Sequence, residues 1–414
     1  MSPTLPTGIE WPSTGRLDRA AAEVAAARPL SLYVHVPFCS VRCGYCDFNT
    51  YTVGFGPGAE PGSFADSVLA EARLGARVLA EAGFAPRPAT SVFFGGGTPS
   101  LLAAADLAAI LAALREQFGL APGAEVTTEA NPESVTPRYL ETLAGAGFTR
   151  VSFGMQSSVP HVLATLDRTH RPERMPLVVD WAKGAGLHTS VDLIYGTPGE
   201  SLADWRASLE AAVELVPSHI SAYALVIEEG TKMAAQVRRG QLPTPSDDDE
   251  ADKYELADSV LGAAGYRWYE ISNFAKPAPG EEHLPASRLA AASKHNLAYW
   301  RDHDWWGLGP GAHSHVGALR WWNVKHPRAY ADRVNAGLSP AAAGEQLDAQ
   351  TRELERVLLG IRTSDGLAAA DFPADVVAGL AAQGLIEQAA LPERIVLTLR
   401  GRLLADTVVG ALTD

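Results

Sequence analysis

Cysteine is almost missing from the 414-residue chain, which has three. So small and odd a number excludes a disulfide framework as the source of its stability. Long apolar runs are missing too. No stretch of about 18 uncharged apolar residues occurs, so no helix is expected to span a membrane. A surplus of positive charge is also absent: 34 Lys and Arg stand against 48 Asp and Glu, for a net charge of −14. A broad nucleic-acid surface needs a basic patch to meet the phosphates, so nucleic acid is not an expected partner. The start, Met1-Ser2-Pro3-Thr4-Leu5-Pro6, lacks the basic segment and apolar run of a secretion signal. The expected location is the cytoplasm. There is no internal repeat or low-complexity tract. What remains is ordinary for a globular protein: 47% hydrophobic and 20% charged residues, enough to bury a normal core without staples.

From about Leu32 to Leu225 one pattern recurs: a short apolar run, a distinctive motif, then a helix-length amphipathic stretch. The apolar runs are Leu32–Val36, Ser91–Phe94, Glu125–Glu129, Arg150–Met155, Ser190–Ile194 and His219–Leu225. Such alternation predicts an α/β fold with a parallel sheet of right-handed βαβ units. Six units predict a partial (β/α)6 barrel, open on one side, with its chemistry at the C-terminal ends of the strands. Four regions are expected. Residues 1–30 form a flexible N-terminal extension and residues 31–275 the barrel. Residues 276–345 form a linker region that begins with a flexible insertion, Lys276–Ala292. Residues 346–414 form a small winged-helix-like domain, with helices near Asp348–Ile361 and Ala374–Gln383 and a hairpin of Leu385–Glu387 with Arg394–Leu399. Ser246-Asp247-Asp248-Asp249-Glu250 is expected to open a helix, since acids suit a helix N-terminus. Tyr266–Ile271 reads as a further strand.

The three cysteines stand together as Cys39-Ser40-Val41-Arg42-Cys43-Gly44-Tyr45-Cys46. Their spacing is C-x3-C-x2-C, in a loop just after the first strand. Thiolates closely spaced on one loop suit an iron–sulfur cluster. Unrelated buried cysteines would not crowd into eight residues. A zinc site of Cys3His type through His35 is the rival reading, but structural zinc sites usually add a second ligand pair further along the chain.

With its preceding Tyr33-Val34-His35-Val36-Pro37-Phe38, this motif resembles the signature of radical S-adenosylmethionine (SAM) proteins. The likeness extends from about Leu32 to Val409 and is strongest to the coproporphyrinogen III dehydrogenase-like branch, which includes the HemW-type haem chaperones. The resemblance implies a [4Fe-4S] cluster on Cys39, Cys43 and Cys46, with SAM on the fourth iron. Gly95-Gly96-Gly97-Thr98-Pro99 follows the second strand and matches the family's glycine motif, so Gly96, Gly97 and Thr98 are expected at the SAM amino group. Glycines let backbone approach a ligand closely. SAM contacts are likewise implied for Tyr33, Tyr45, Glu129, Gln156, Arg168 and Asp192. The planar fork of Arg168 suits a carboxylate. Asp192, flanked by apolar residues, needs a partner wherever it is buried.

Two features separate the branches. The dehydrogenase carries a fourth cysteine two residues after the third; here that position is Phe48. Lys294-His295-Asn296-Leu297-Ala298-Tyr299-Trp300 resembles the HNxxYW motif of the haem chaperones. Imidazole is a good axial haem ligand, and aromatic faces suit a flat macrocycle. His295 is therefore the expected haem ligand, with Asn296, Tyr299 and Trp300 beside it. His313 and His315 are rivals, and a helix start with an aromatic core stripe is the structural alternative. The tryptophan pairs Trp305-Trp306 and Trp321-Trp322 are expected to be buried.

The resulting expectation is a radical SAM-type haem chaperone that binds haem and passes it to acceptor haemoproteins. SAM cleavage is an expected capacity; coproporphyrinogen turnover is not. The resemblance extends the partners to membrane respiratory enzymes, reached through peripheral association at the inner membrane face, to an electron donor for the cluster, and to a second copy of the chain in a homodimer. The alternatives are radical decarboxylation of coproporphyrinogen III, or a radical SAM reaction on an unrelated substrate with HNxxYW serving only structure.

Overall fold

The computed structural model describes residues 8–19, 28–54 and 61–413. Six parallel strands form its centre: β1 (Leu30–Val36), β2 (Ala89–Gly96), β3 (Leu120–Ala130), β4 (Arg150–Gln156), β5 (His188–Tyr195) and β6 (His219–Ala224). A helix follows each in turn: α1 (Phe64–Glu81), α2 (Ala104–Phe118), α3 (Pro137–Ala146), α4 (Arg174–Gly184), α5 (Leu202–Glu214) and α6 (Asp247–Ala263). The strands read as near-continuous apolar runs because both faces are covered. Val34, Val92, Val126, Val151, Val191 and Ile220 are all buried in one core.

Local signals set the helix ends. The Thr136 hydroxyl accepts from the Tyr139 N–H at the start of α3, and Gly147, left-handed at φ 104°, ends it. Ser201 and Asp204 form a reciprocal capping box on α5. Four acids occupy the first turn of α6, as expected.

The sheet does not stop at six strands. β7 (Arg267–Glu270) and β8 (Asn273–Ala275) add beyond β6. β9 (Asp304–Leu308), β10 (His313–Val316), β11 (Leu319–Asn323) and β12 (Ala341–Gln346) add beyond β1. The twelve-strand order is β12-β11-β10-β9-β1-β2-β3-β4-β5-β6-β8-β7. β9 runs parallel to β1, whereas β7, β8 and β10–β12 are antiparallel.

This corrects the linker expected over 276–345, because four sheet strands and a helix, Pro327–Asn335, occupy residues 304–346. Buried Trp306, Trp321 and Trp322 face other elements on both sides, so no apolar–polar alternation announced the strands. Trp305 stays half-buried. The insertion expected to be flexible, Lys276–Ala292, includes Ala286, Leu289, Ala291 and Ala292 in a small core with Tyr269 and Leu297.

The N-terminal expectation is corrected in part. Ile9 bridges Gly344, Trp11 stacks on Trp321 with ring centroids 5.2 Å apart, and Leu17 joins the main core. Apolar anchors thus hold 8–19 on the β11–β12 margin; residues 1–7 and 20–27 lie outside the described residues.

After β12 comes a separate hydrophobic core that includes Val357, Ile361, Leu380, Ile395 and Val408. The expected helices are present as Ala349–Gly360 and Ala374–Ala382. The expected hairpin is reduced to a single Ile386–Leu397 bridge. Arg394–Ile395 pairs instead with Leu367–Ala368, and helices Leu399–Leu403 and Ala405–Thr413 follow.

Candidate cofactor site and the barrel floor

The cysteine loop leaves the C-terminal end of β1. The His35 ring bonds the Tyr33 hydroxyl at 3.0 Å through Nδ1 and the Asn49 carbonyl at 3.0 Å through Nε2, tying the far end of the loop to its strand. The Gly97 N–H donates to the Val36 carbonyl and the Thr98 N–H to the Phe38 carbonyl, at 2.8 and 2.7 Å. The glycines are there for space. A Cβ on Gly97 would lie 2.5 Å from the Phe38 oxygen, and one on Gly96, at φ 109°, would strike the His35 ring.

Cys39, Cys43 and Cys46 line one cavity of about 150 Å³ with Tyr45, Gly96, Gly97, Thr98, Glu129, Gln156, Arg168 and Asp192. Cys39 is buried, and the other two thiols are half-buried. Burial pushes the Cys39 thiol up to about 11 and raises Cys46 as well. A metal centre would reverse that, since coordination deprotonates thiols. Among the described residues no three His, Cys, Asp or Glu side chains converge enough to share one metal ion. A cubane offers a separate iron to each thiolate, so convergence on a point is not what it requires. Three thiols on one short loop around a polar cavity fit such a cluster.

The facing strand ends supply polar groups. Glu129 Oε2 accepts from the Gly96 N–H at 3.1 Å. Burial pushes its carboxyl up to about 8, and nearby Asp192 adds to the shift. Asp192, also raised by burial, accepts from the Ser152 hydroxyl at 2.8 Å. A cation brought alongside would restore the charge of both. Arg168 donates to the Gly154 carbonyl at 3.1 Å and to Cys43 Sγ at 3.5 Å. Its Nε, and Oε1 of Gln156, are buried without a partner. Gln156 also sits at φ 63°, where a non-glycine residue is strained. Unpartnered buried polar atoms beside a strained residue suit a site completed by a ligand.

A second cavity of about 440 Å³ runs down the barrel interior. It shares Tyr45, Cys46, Phe48, Glu129, Gln156 and Asp192 with the first and reaches Arg150, His219, Ser293 and Asn296. Ser152, Arg150, Tyr223 and His219 were not singled out from sequence. Their signal was faint: polar residues inside otherwise apolar strands. Tyr33 lines neither cavity and supports His35 from behind.

The HNxxYW segment lies elsewhere, as the short helix α7 (Lys294–Trp300) at the N-terminal ends of the strands. His295 is buried. Its Nδ1 bonds the Ser91 hydroxyl at 2.9 Å and its Nε2 the Tyr299 hydroxyl at 3.0 Å. Burial lowers its imidazole to about 4. Both ring nitrogens are thus engaged, and neither is free for iron in this conformation. Glu125 accepts from Arg150 at 3.1 Å, from the Ser293 hydroxyl at 3.2 Å and from the His295 N–H at 3.3 Å. Asn296 and Trp300 stand against Glu270 of β7, whose carboxylate accepts from the Ser272 N–H at 3.3 Å. His315 is buried, with Nε2 2.7 Å from the Gly317 carbonyl, whereas exposed His313 stacks on Trp322.

Comparison with known proteins agrees with this architecture. Residues 33–212 match the radical SAM superfamily model. The solved structure titled "Coproporphyrinogen III oxidase (HemN) from Escherichia coli is a Radical SAM enzyme" superposes with a TM-score of 0.80. The match covers 100% of this chain and 96% of that one at 24% identity, a likeness of fold. The barrel and its cysteine loop are thus those of a radical SAM protein. "Heme chaperone HemW" of Mycobacterium tuberculosis is 48% identical over 389 residues, which cover 93% of this chain and 95% of that protein. The protein of the same name from Bacillus subtilis is 31% identical, with 92% and 98% covered. The chain belongs to the HemW family of radical SAM proteins.

Proposed function

We propose that this protein is a haem chaperone. In this reading Cys39, Cys43 and Cys46 hold a [4Fe-4S] cluster, and the cavity beside it receives SAM. The observation that carries it is the 48% identity, over nearly the full length of both chains, to a protein named as a haem chaperone. The site chemistry supports the cofactors. Gly96, Gly97 and Thr98 offer backbone groups at the SAM amino end, where Glu129 would balance an ammonium charge. The Arg168 fork suits the carboxylate. Asp192, Gln156 and Tyr45 line the remaining wall toward the barrel interior. When bound, the cluster supplies an electron to the sulfonium of SAM. The chain's own part is to orient SAM and to keep bulk water from it.

Haem is the cargo, and haemoproteins, membrane respiratory enzymes among them, are the acceptors. A separate electron donor serves the cluster. No helix among the described residues is long and apolar enough to cross a membrane, so the proposed setting is the cytoplasm with peripheral contact at the membrane face. Homodimer formation belongs to the same proposal. Coproporphyrinogen oxidation is not favoured. The likeness to that enzyme is one of fold, and Phe48 stands where the dehydrogenase pattern has its fourth cysteine.

The test is anaerobic reconstitution followed by haem titration and incubation with coproporphyrinogen III. Tight haem binding with no protoporphyrinogen formed is expected. Turnover of coproporphyrinogen, or absence of haem binding, would overturn the proposal.

A further inference from the structure

The HNxxYW helix touches both margins of the barrel. Tyr299 meets Trp305 of β9 edge-on, with ring centroids 4.8 Å apart. The Ser293 N–H at the start of the helix donates to the Tyr269 hydroxyl of β7 at 3.2 Å, and Asn296 and Trp300 stand against Glu270 on the same strand. In the sheet order β9 lies next to β1 at one margin of the parallel barrel, and β7 closes the far end beyond β6. These are the two lips of the seam that a six-unit barrel leaves open. Between them His295 points inward, stacked on Phe93 at 5.1 Å and bonded to Ser91 of β2. Glu125 of β3 receives the start of the helix. The same segment is tied to the C-terminal core: Arg301 donates to Asp365 at 2.6 Å, and Glu270 bridges Thr363. Asn296 also lines the larger cavity.

We propose that the HNxxYW helix is the clasp that closes the barrel seam, with His295 as its inner peg and Glu270 as its catch. His295 and Glu270 are positioning residues that set the shape of the chamber floor. His295 does not ligate haem iron. The part of this inference that concerns haem rests on the chaperone reading; the part that concerns the seam does not.

The geometry makes His295 and Glu270 partners in one function although they never touch. A haem ligand and a remote carboxylate have no reason to share a phenotype. The two ends of a clasp do, because release of either end frees both lips.

The experiment compares the full-length wild type with His295→Ala, His295→Gln and Glu270→Ala, using amide hydrogen exchange and haem titration. Peptides covering 267–275 and 304–308 are expected to exchange about tenfold faster in both alanine variants, the equivalent of one or two buried hydrogen bonds. His295→Gln, whose amide offers both a donor and an acceptor, restores protection. Haem bound to the histidine variants keeps the wild-type Soret position, while affinity falls to a similar extent in His295→Ala and Glu270→Ala.

A displaced Soret band in His295→Gln with unchanged exchange would overturn the inference. So would a Glu270→Ala protein whose two lips stay protected. If His295→Ala does not fold, His295→Gln and Trp300→Phe carry the test. Trp300→Phe keeps an aromatic ring but loses the indole N–H beside Glu270, so it should loosen 267–275. Should the wild type bind no haem, the chaperone reading falls, and the exchange data alone decide the clasp.

Discussion

The two ends of the barrel are finished in opposite ways. At the mouth, Gln156 Oε1 and Arg168 Nε are buried without partners, Gln156 is held at φ 63°, and Phe48 stands exposed on the rim. At the floor, both ring nitrogens of His295 are bonded and Asn296 and Trp300 stand against Glu270, while Arg150 Nε and His219 Nδ1 in the wall above lack partners. An unsatisfied buried polar group costs about 1–3 kcal/mol. Stability alone would not retain two such groups and a strained residue in one place. What sets the mouth apart is that its unpartnered atoms line the cavity beside the three cysteines, where a ligand would complete them, whereas the His295 ring at the floor already has its partners.

The largest expected contrast is in cofactor content. Cys43→Ser should reduce reconstituted iron and sulfide to background, while His295→Gln should load fully. Iron loss in His295→Gln would erase the division between the two ends. Next in size, Glu125→Ala removes the charge partner of buried Arg150 and the acceptor at the start of α7. Truncation of one partner of a buried pair costs about 3–5 kcal/mol, measurable by denaturant unfolding. Glu129→Gln at the mouth should cost little stability and should weaken SAM binding instead.

The pH response is smaller. Burial pushes Glu270 up to about 7 and Glu129 up to about 8. A carboxyl raised in the folded state binds more protons there than in the unfolded chain. Its contribution is complete below the unfolded value near 4.5 and is lost as pH rises through the folded value. These two carboxyls should therefore contribute a fall in stability between pH 4.5 and about 8, set against the rise that buried His295, lowered to about 4, contributes up to its unfolded value of 6.5. Glu270→Gln should flatten that fall by about 1–3 kcal/mol, seen in unfolding midpoints across the range. An unchanged slope would mean that Glu270 is charged in the fold. The smallest effect is at Gln156. Glycine there relieves a left-handed backbone and should stabilise the protein by up to about 1 kcal/mol, while SAM affinity drops. Unaltered affinity would remove Gln156 from the proposed SAM wall.

The mouth was easier to read in the sequence than the floor. Cys39, Cys43 and Cys46 are neighbours in the chain, Gly96, Glu129 and Gln156 stand at the ends of apolar runs, and Asp192 is a lone acid inside one. Strand ends share one barrel rim, so linear order translated directly into a site. The strands β9–β12 were hidden because their tryptophans are buried from both sides and show no period of two. The N-terminal strap was hidden because Trp11 gains its partner, Trp321, only from a strand 310 residues further on.

The sequence by itself determined the barrel and the cysteine loop, which depend on local periodicity and on spacing within one loop, and its motifs carried the resemblance to the family. Only the tertiary structure decided the place of the HNxxYW segment. Its residue types suit a haem ligand and a buried plug equally well. Its position is set by what stands opposite: Ser91, Glu125, Glu270 and Trp305, drawn from four strands that meet only when the barrel closes.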